Sequence, residues 1–247
     1  VSGIDVGDEA SPATFPRGPR YGTLLHNILE TVDFAADEQS LLAATRHQLD
    51  AFGMDSDRWA SVVASWLRQV LNSQLPPLNG LSLAELPAAA RISEMEFNFR
   101  MSADIRGADL DYSLRRSGYL GHSPPLDFAA VRGIMRGFID LVFQHEGRFY
   151  LLDYKSNYLG PNPDSYRLEA MQRAIGTHRY DLQYLIYATA LHRYLGARLR
   201  DYSFESHFGG VYYLFLRGMT GRSEPGRGVF YDRPDRGTIL ALDTLFD

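Results

Sequence analysis

Two runs rich in β-branched and aromatic residues, Ile134–Phe143 and Arg148–Tyr154, stand only four residues apart, and those four end in Glu146-Gly147. A spacing that short admits a tight turn and little else, so the runs must pair antiparallel. The chain therefore contains a β-sheet, which excludes an all-helical fold. If the turn centres on Glu146-Gly147, paired residue numbers sum to 293, and Asp140 faces Asp153 directly. Opposed Cβ atoms in such a pair lie about 4.5–5.5 Å apart. Lys155, two residues beyond Asp153, returns to the same face. A three-residue turn with a bulge is the competing geometry and would slip the pairing by one.

Facing carboxylates on strands otherwise made of Leu, Val, Phe and Tyr repel each other unless something offsets the charge. A divalent cation is one candidate. A few carboxylate oxygens with water completing the sphere suit Mg²⁺, and a Lys beside them could orient or help deprotonate a water. The alternative is a polar hairpin face held by an Asp–Lys ion pair. Composition bears on the choice. Of 25 basic residues, 24 are Arg and one, Lys155, is Lys. Either GC-rich coding left one stray Lys, or this position needs a compact ammonium that a planar guanidinium cannot replace.

The rest of the chain reads as α/β, a small mixed sheet with helices around it. Residues 1–18, rich in Gly, Pro, Ser and acids, read as a linker-like leader, and 19–247 as a single domain. Thr23 is placed to cap a helix running to about Phe34. Helical periodicity recurs at Glu38–Phe52, Asp57–Leu71, Leu83–Ala90 and from about Ser165 to Leu195, ending at Gly196. Ile92–Met101 alternates as a half-buried strand, and Val211–Arg217 is a further strand. Residues 102–130 resist assignment. With 247 residues, 45% hydrophobic and 22% charged, the composition is that of a globular protein. The longest apolar run, Val211–Leu216, is strand-sized. The absence of cysteine excludes disulfides, thiolate zinc sites, cysteine nucleophiles and Cys-ligated clusters, and fits a reducing, cytoplasmic setting. Net charge is −5. A free-standing non-specific DNA binder is usually basic, so if nucleic acid is the substrate, something else delivers it.

Other residues carry weaker signals. His26 and Glu30, four apart on the first helix, make either a solvated face or, through His26, a metal ligand. Glu94 and Glu96 alternate with Met95 and Phe97, as an exposed acidic face or as groups pointing into a site. Gln183 and Tyr187 share a helix face, as core groups or as part of a site.

The stretches Phe15-Pro-Arg-Gly18, Gly22-Thr-Leu-Leu-His26, Glu94-Met-Glu-Phe97, Arg136-Gly-Phe-Ile-Asp140, Leu151-Leu-Asp-Tyr-Lys-Ser156, His178-Arg-Tyr-Asp-Leu-Gln-Tyr184 and His207-Phe-Gly-Gly-Val211 resemble, in order, the PD-(D/E)XK nuclease superfamily. The closer likeness is to the nuclease domains of bacterial helicase–nucleases. The resemblance implies a restriction-endonuclease-like core and Mg²⁺-dependent hydrolysis of DNA, with Mn²⁺ or Ca²⁺ as alternative occupants. It implies His26, Asp140, Asp153 and the backbone carbonyl of Tyr154 as metal ligands and Lys155 as the catalytic lysine. Glu94, preferred to Glu96, matches the acid of the preceding core strand, and Gln183 with Tyr187 matches the QxxxY helix motif. It also implies that single-stranded DNA is delivered by a motor whose phosphate-loop motif this chain lacks, that partner subunits complete the complex, and that the isolated domain is a monomer. A nuclease-like fold that only guides DNA is the alternative.

Overall fold

The computed structural model describes residues 9–121, 123–219 and 227–247. The chain forms two compact units, each assembled from separate stretches: Val1–Leu86, Tyr154–Arg167 and Phe215–Val229 in the first, and Pro87–Asp153, Leu168–Leu214 and Phe230–Asp247 in the second. Among the described residues no helix is long and apolar enough to cross a membrane.

The first unit is mainly helical: α1 (Pro19–Thr31), α2 (Glu38–Ala51) and α3 (Ser56–Asn72), followed by a small antiparallel pair, β1 (Gln74–Leu75) and β2 (Leu78–Ser82). Helix α1 begins at Pro19, four residues before Thr23. A proline at the first helical position has its ring pre-set for the helix and no N–H to leave unpaired. Thr23 is therefore not the cap; its hydroxyl donates to the Pro19 carbonyl inside the first turn. Asp37 and Asp55 cap α2 and α3 through the backbone N–H groups of Ser40 and Arg58. The helical pattern at Leu83–Ala90 resolves into two single turns, Leu83–Glu85 and Ala88–Ala90, with Pro87 between them.

The leader reading needs correction over its second half. Phe15 is 1% exposed and meets Trp59 and Trp66 edge-on, with ring centroids 5.2 and 5.8 Å away. The Arg217 guanidinium, 5% exposed, donates to the carbonyls of Pro12 (2.6 Å), Phe15 (3.0 Å), Pro16 (2.8 Å) and Ser156 (3.0 Å). One aromatic anchor and one buried cation fold this stretch into the core despite its Gly/Pro-rich composition. Residues 1–8 lie outside the described residues.

The second unit is built on a five-stranded sheet. Its strands are β3 (Arg91–Ile105), β4 (Val131–His145), β5 (Arg148–Lys155), β6 (Phe208–Phe215) and β7 (Val229–Asp232), hydrogen-bonded in that order. Between them run α4 (Gly107–Arg116), α5 (Leu168–His178), α6 (Tyr180–Arg198) and α7 (Phe204–His207), and α8 (Arg236–Phe246) closes the chain. Helix α4 occupies the stretch that resisted assignment, while β1, β2, β7 and α8 were not anticipated. Residues 165–195 are not one helix. Arg179 takes a left-handed backbone (φ 56°), which ends α5 and redirects α6.

Strands β3, β4 and β5 run antiparallel in sequence. The Glu146-Gly147 turn has φ 49° and 77°, the two positive values of a type I′ hairpin. The β4–β5 pairs Leu141↔Leu152 through His145↔Arg148 all sum to 293, so there is no bulge. Gly137 has a separate reason: a Cβ there would come within 2.7 Å of the Phe97 ring across the β3–β4 pair. The helix-covered side of this pair packs Phe97 against Tyr187 of α6 and Phe99 against Phe246 of α8.

Candidate active site

The positions singled out in the sequence fall in both units, and strand β5 passes from one to the other between Asp153 and Tyr154. In the sheet unit three acids occupy one row. The ladder pairs Leu141↔Leu152 end immediately inside Asp140 and Asp153. On the other side of β4, Ser93↔Leu141 and Met95↔Ile139 flank Glu94 and Asp140. Glu94, Asp140 and Asp153 therefore lie on adjacent strands at matching register. Asp153 is 3% exposed and Asp140 is half-buried.

Glu94 departs from regular strand geometry. Its φ is 49°, left-handed, in the middle of β3, while the pairing on both sides keeps the same register. No residue has been inserted; the backbone is twisted locally. A non-glycine residue held this way costs on the order of 1–3 kcal/mol and persists only where its surroundings over-determine it, a circumstance that clusters at functional sites. Glu96, two residues on, points to solvent and pairs with Arg136 at 2.7 Å.

Helix α6 supplies the groups that meet this row. The Tyr213 hydroxyl on β6 donates to Gln183 Oε1 (2.8 Å), and Gln183 Nε2 donates to the Tyr187 hydroxyl oxygen (2.9 Å). Tyr187 thus accepts from Gln183 and directs its own proton elsewhere. Burial, and then the charges of Asp153, Asp140 and Glu94, push the Tyr187 hydroxyl above its usual range, against the opposing effect of the Gln183 hydrogen bond. Burial, with Asp153, Tyr187 and Asp140 behind it, does the same at Tyr213. Two consequences follow. The three carboxylates act together on one phenol, and that phenol remains protonated near neutral pH, as a hydrogen-bond donor and not a base. Tyr213 had no signal in the sequence: it lies in an apolar strand run, and only the tertiary fold sets it against Gln183.

In the helical unit, His26 Nε2 lies 2.8 Å from the backbone carbonyl oxygen of Tyr154. The spacing of α1 puts His26 one turn beyond Gly22, where any Cβ would stand 2.9 Å from the Ser156 hydroxyl. Small size at Gly22 lets α1 approach the end of β5, and His26 reaches its carbonyl. Lys155, 8% exposed, sits between that carbonyl and Ser156. The Ser156 carbonyl is in turn held by Arg217, a second residue the sequence reading passed over as one Arg among many.

Among the described residues, no three His, Cys, Asp or Glu side chains stand together as a ready-made cation cage. The sheet unit offers carboxylates, the donor type a hard cation takes, and the helical unit offers one imidazole and one backbone carbonyl.

The PD-(D/E)XK nuclease superfamily pattern matches residues 5–241. The chain is similar to the RecBCD enzyme subunit RecB of Escherichia coli (strain K12), with 45% identity over 239 residues, 96% of this chain and 20% of that protein. It is 38% identical to the RecBCD enzyme subunit RecB of Haemophilus influenzae over 242 residues, 97% of this chain and 19% of that protein. With the RecBCD enzyme subunit RecB of Mycobacterium tuberculosis (strain H37Rv), identity is 34% over 277 residues, covering 100% of this chain and 25% of that protein. The chain thus spans about a fifth of the length of the first two of these relatives.

Proposed function

Because the chain belongs to the PD-(D/E)XK nuclease superfamily, we propose that it hydrolyses DNA phosphodiester bonds with Mg²⁺, as the nuclease part of a RecBCD-type helicase–nuclease. The observation that carries this reading is the placement of Glu94, Asp140 and Asp153 at matching positions on three adjacent strands. Three acids in one strand row, with the chain's single Lys two residues beyond the last, are the residue types that metal-assisted hydrolysis uses.

His26, Asp140, Asp153 and the Tyr154 carbonyl are the ligand set, assigned from the family's motif positions. When bound, the cation supplies Lewis-acid stabilisation of charge on the phosphate and on the leaving 3′ oxygen. Lys155 orients the attacking water and helps remove its proton. Glu94 supports the same row of charge. Gln183, held by Tyr213, orients Tyr187, whose remaining proton is offered to a phosphate oxygen.

The names of the relatives extend the reading to the whole assembly. RecC and RecD are the expected partners, single-stranded DNA fed by the motor is the expected substrate, and the setting is cytoplasmic. The expected roles are double-strand break repair, homologous recombination and degradation of linear DNA. The net charge of −5 fits a nuclease that receives its DNA from a motor. The second reading, a module that guides DNA without cutting it, leaves the acid row without a role.

The test is incubation of the purified chain with linear and circular single-stranded DNA, in Mg²⁺ and in EDTA, without ATP. Cleavage in Mg²⁺ that stops in EDTA supports the proposal. No cleavage in any divalent ion favours the guiding module.

A further inference from the structure

Strands β3 and β4 run on past the acid row as a long two-stranded ribbon whose two sides differ. One side, with Phe97 and Phe99, is covered by α6 and α8. The other carries the pairs Glu96↔Phe138, Asn98↔Arg136 and Arg100↔Ile134, with Arg132 beyond. This side is open: Ile134 is 74% exposed and Phe138 42%, and the Arg132 and Arg136 side chains are 77% and 62% exposed. Exposed aromatic and branched apolar residues alternating with arginines give this side a mixed apolar and cationic surface.

The ribbon leads straight to the acid row. Phe138 is two residues before Asp140 on β4, about 6.8 Å along the strand. We infer that this outward face of the β3–β4 ribbon is a track on which a single DNA strand approaches the acids, with phosphates on Arg100, Arg132 and Arg136 and a base stacked on Phe138. The inference rests on the nuclease reading of Asp140 and Asp153.

The chemistry fits a single strand better than a duplex or a protein. A single strand exposes base faces that stack on aromatic rings whatever the sequence, while its phosphates pair with guanidinium groups. Arg136 already lies over the Phe138 ring, 5.6 Å from its centroid, so cation and stacking platform are presented together. Glu96 holds Arg136 at 2.7 Å, and Asp104 stands 3.9 Å from Arg132. Both acids compete with phosphate and keep binding weak enough for the strand to slide.

The test is anisotropy titration of a fluorescein-labelled 20-nucleotide oligo-dT with the 247-residue chain in EDTA, over a range of salt. Phe138→Ala should weaken binding about tenfold, and Phe138→Trp should restore it. Arg136→Gln should weaken binding and reduce the slope of log K against log salt by about 0.7, the single-strand value for one phosphate contact. Glu96→Gln should tighten binding, since it releases Arg136. These variants lie on the surface, and thermal melts check that each is folded. If Phe138→Ala does not fold, the opposed signs of Arg136→Gln and Glu96→Gln decide. Unchanged affinity in all of them overturns the track and makes this face a protein-docking surface. Wild-type cleavage of the same oligonucleotide in Mg²⁺ is measured in parallel. Binding that responds to the variants without any cleavage keeps the track and removes the nuclease reading; cleavage with unresponsive binding does the reverse.

Discussion

His26 Nε2 and the carbonyl oxygen of Tyr154 face each other at 2.8 Å across 128 residues of sequence. A carbonyl only accepts, so in the metal-free protein the imidazole proton lies on Nε2 and bridges the two atoms. A shared cation would need lone pairs from both atoms and would move that proton to Nδ1. His26→Ala should therefore weaken Mn²⁺ or Mg²⁺ binding by tenfold or more, about 1.4 kcal/mol. Calorimetric titration measures this, and unchanged affinity would return His26 to a purely structural contact.

Removing one acid from the row should separate activity from stability. Asp140→Asn and Asp153→Asn are expected to abolish cleavage while leaving the melting temperature in EDTA unchanged or slightly raised, because like charges at matching register repel. A large fall in the metal-free melting temperature would show that the carboxylates hold the fold together instead.

Lys155 tests the meaning of the Arg bias. Lys155→Arg keeps the charge but substitutes a larger, planar group that is effectively never deprotonated. Single-turnover cleavage at saturating metal should be nearly as slow as in Lys155→Ala. A rate above about a tenth of wild type, a difference under roughly 1.4 kcal/mol, would mean that charge alone suffices.

Arg217 predicts a cost in stability. Arg217→Met removes the donor for four carbonyls, the buried one of Phe15 and the partly buried ones of Pro12, Pro16 and Ser156. A loss of about 3 kcal/mol is expected in denaturant unfolding. Arg217→Lys should recover only part of it, since one ammonium cannot reproduce the spread of the guanidinium fork. A loss below about 1 kcal/mol would mean that water replaces the missing donors.

Acid should loosen the loop that follows α4. The Arg115 guanidinium, 2.6 Å from Asp111, holds that carboxyl below its usual range, and the same side chain accepts from the Leu126 N–H. A lowered carboxyl contributes stability that is present above its unfolded value, 3.8, and is lost as pH falls from there through the folded value. Partial exposure limits the effect to about 1 kcal/mol. The difference in melting temperature between wild type and Asp111→Asn should therefore be constant near neutral pH and shrink below pH 3.8. A difference that does not vary with pH would show that ionisation of Asp111 contributes nothing to the loop's stability.

Much of the architecture was legible where the signals are local. The β4–β5 register followed from the position of Glu146-Gly147, because a two-residue turn leaves one pairing, which runs to Leu141↔Leu152, next to Asp140 and Asp153. Helices α2 and α3 followed from their helical periodicity, while the capping aspartates Asp37 and Asp55 emerged only in the structure. Periodicity misled at Arg179, since a single left-handed residue breaks a helix without disturbing the hydrophobic pattern around it. It also placed the start of α1 at Thr23, where proline's preference for the first turn overrode a good capping residue.

By itself, the sequence determined the acid pair, the lone lysine two residues on and the strands that carry them. These depend on alternation along one chain and on one turn, interactions that are short-range and therefore readable. The tertiary structure alone decided the rest. It set Tyr213 against Gln183, brought His26 to the Tyr154 carbonyl, twisted Glu94 to φ 49° and buried Arg217 among carbonyls of Pro12, Phe15, Pro16 and Ser156. Each of these joins residues far apart in sequence or forces a residue into a conformation it would not choose, and only the packing of the completed fold supplies the energy to hold it there.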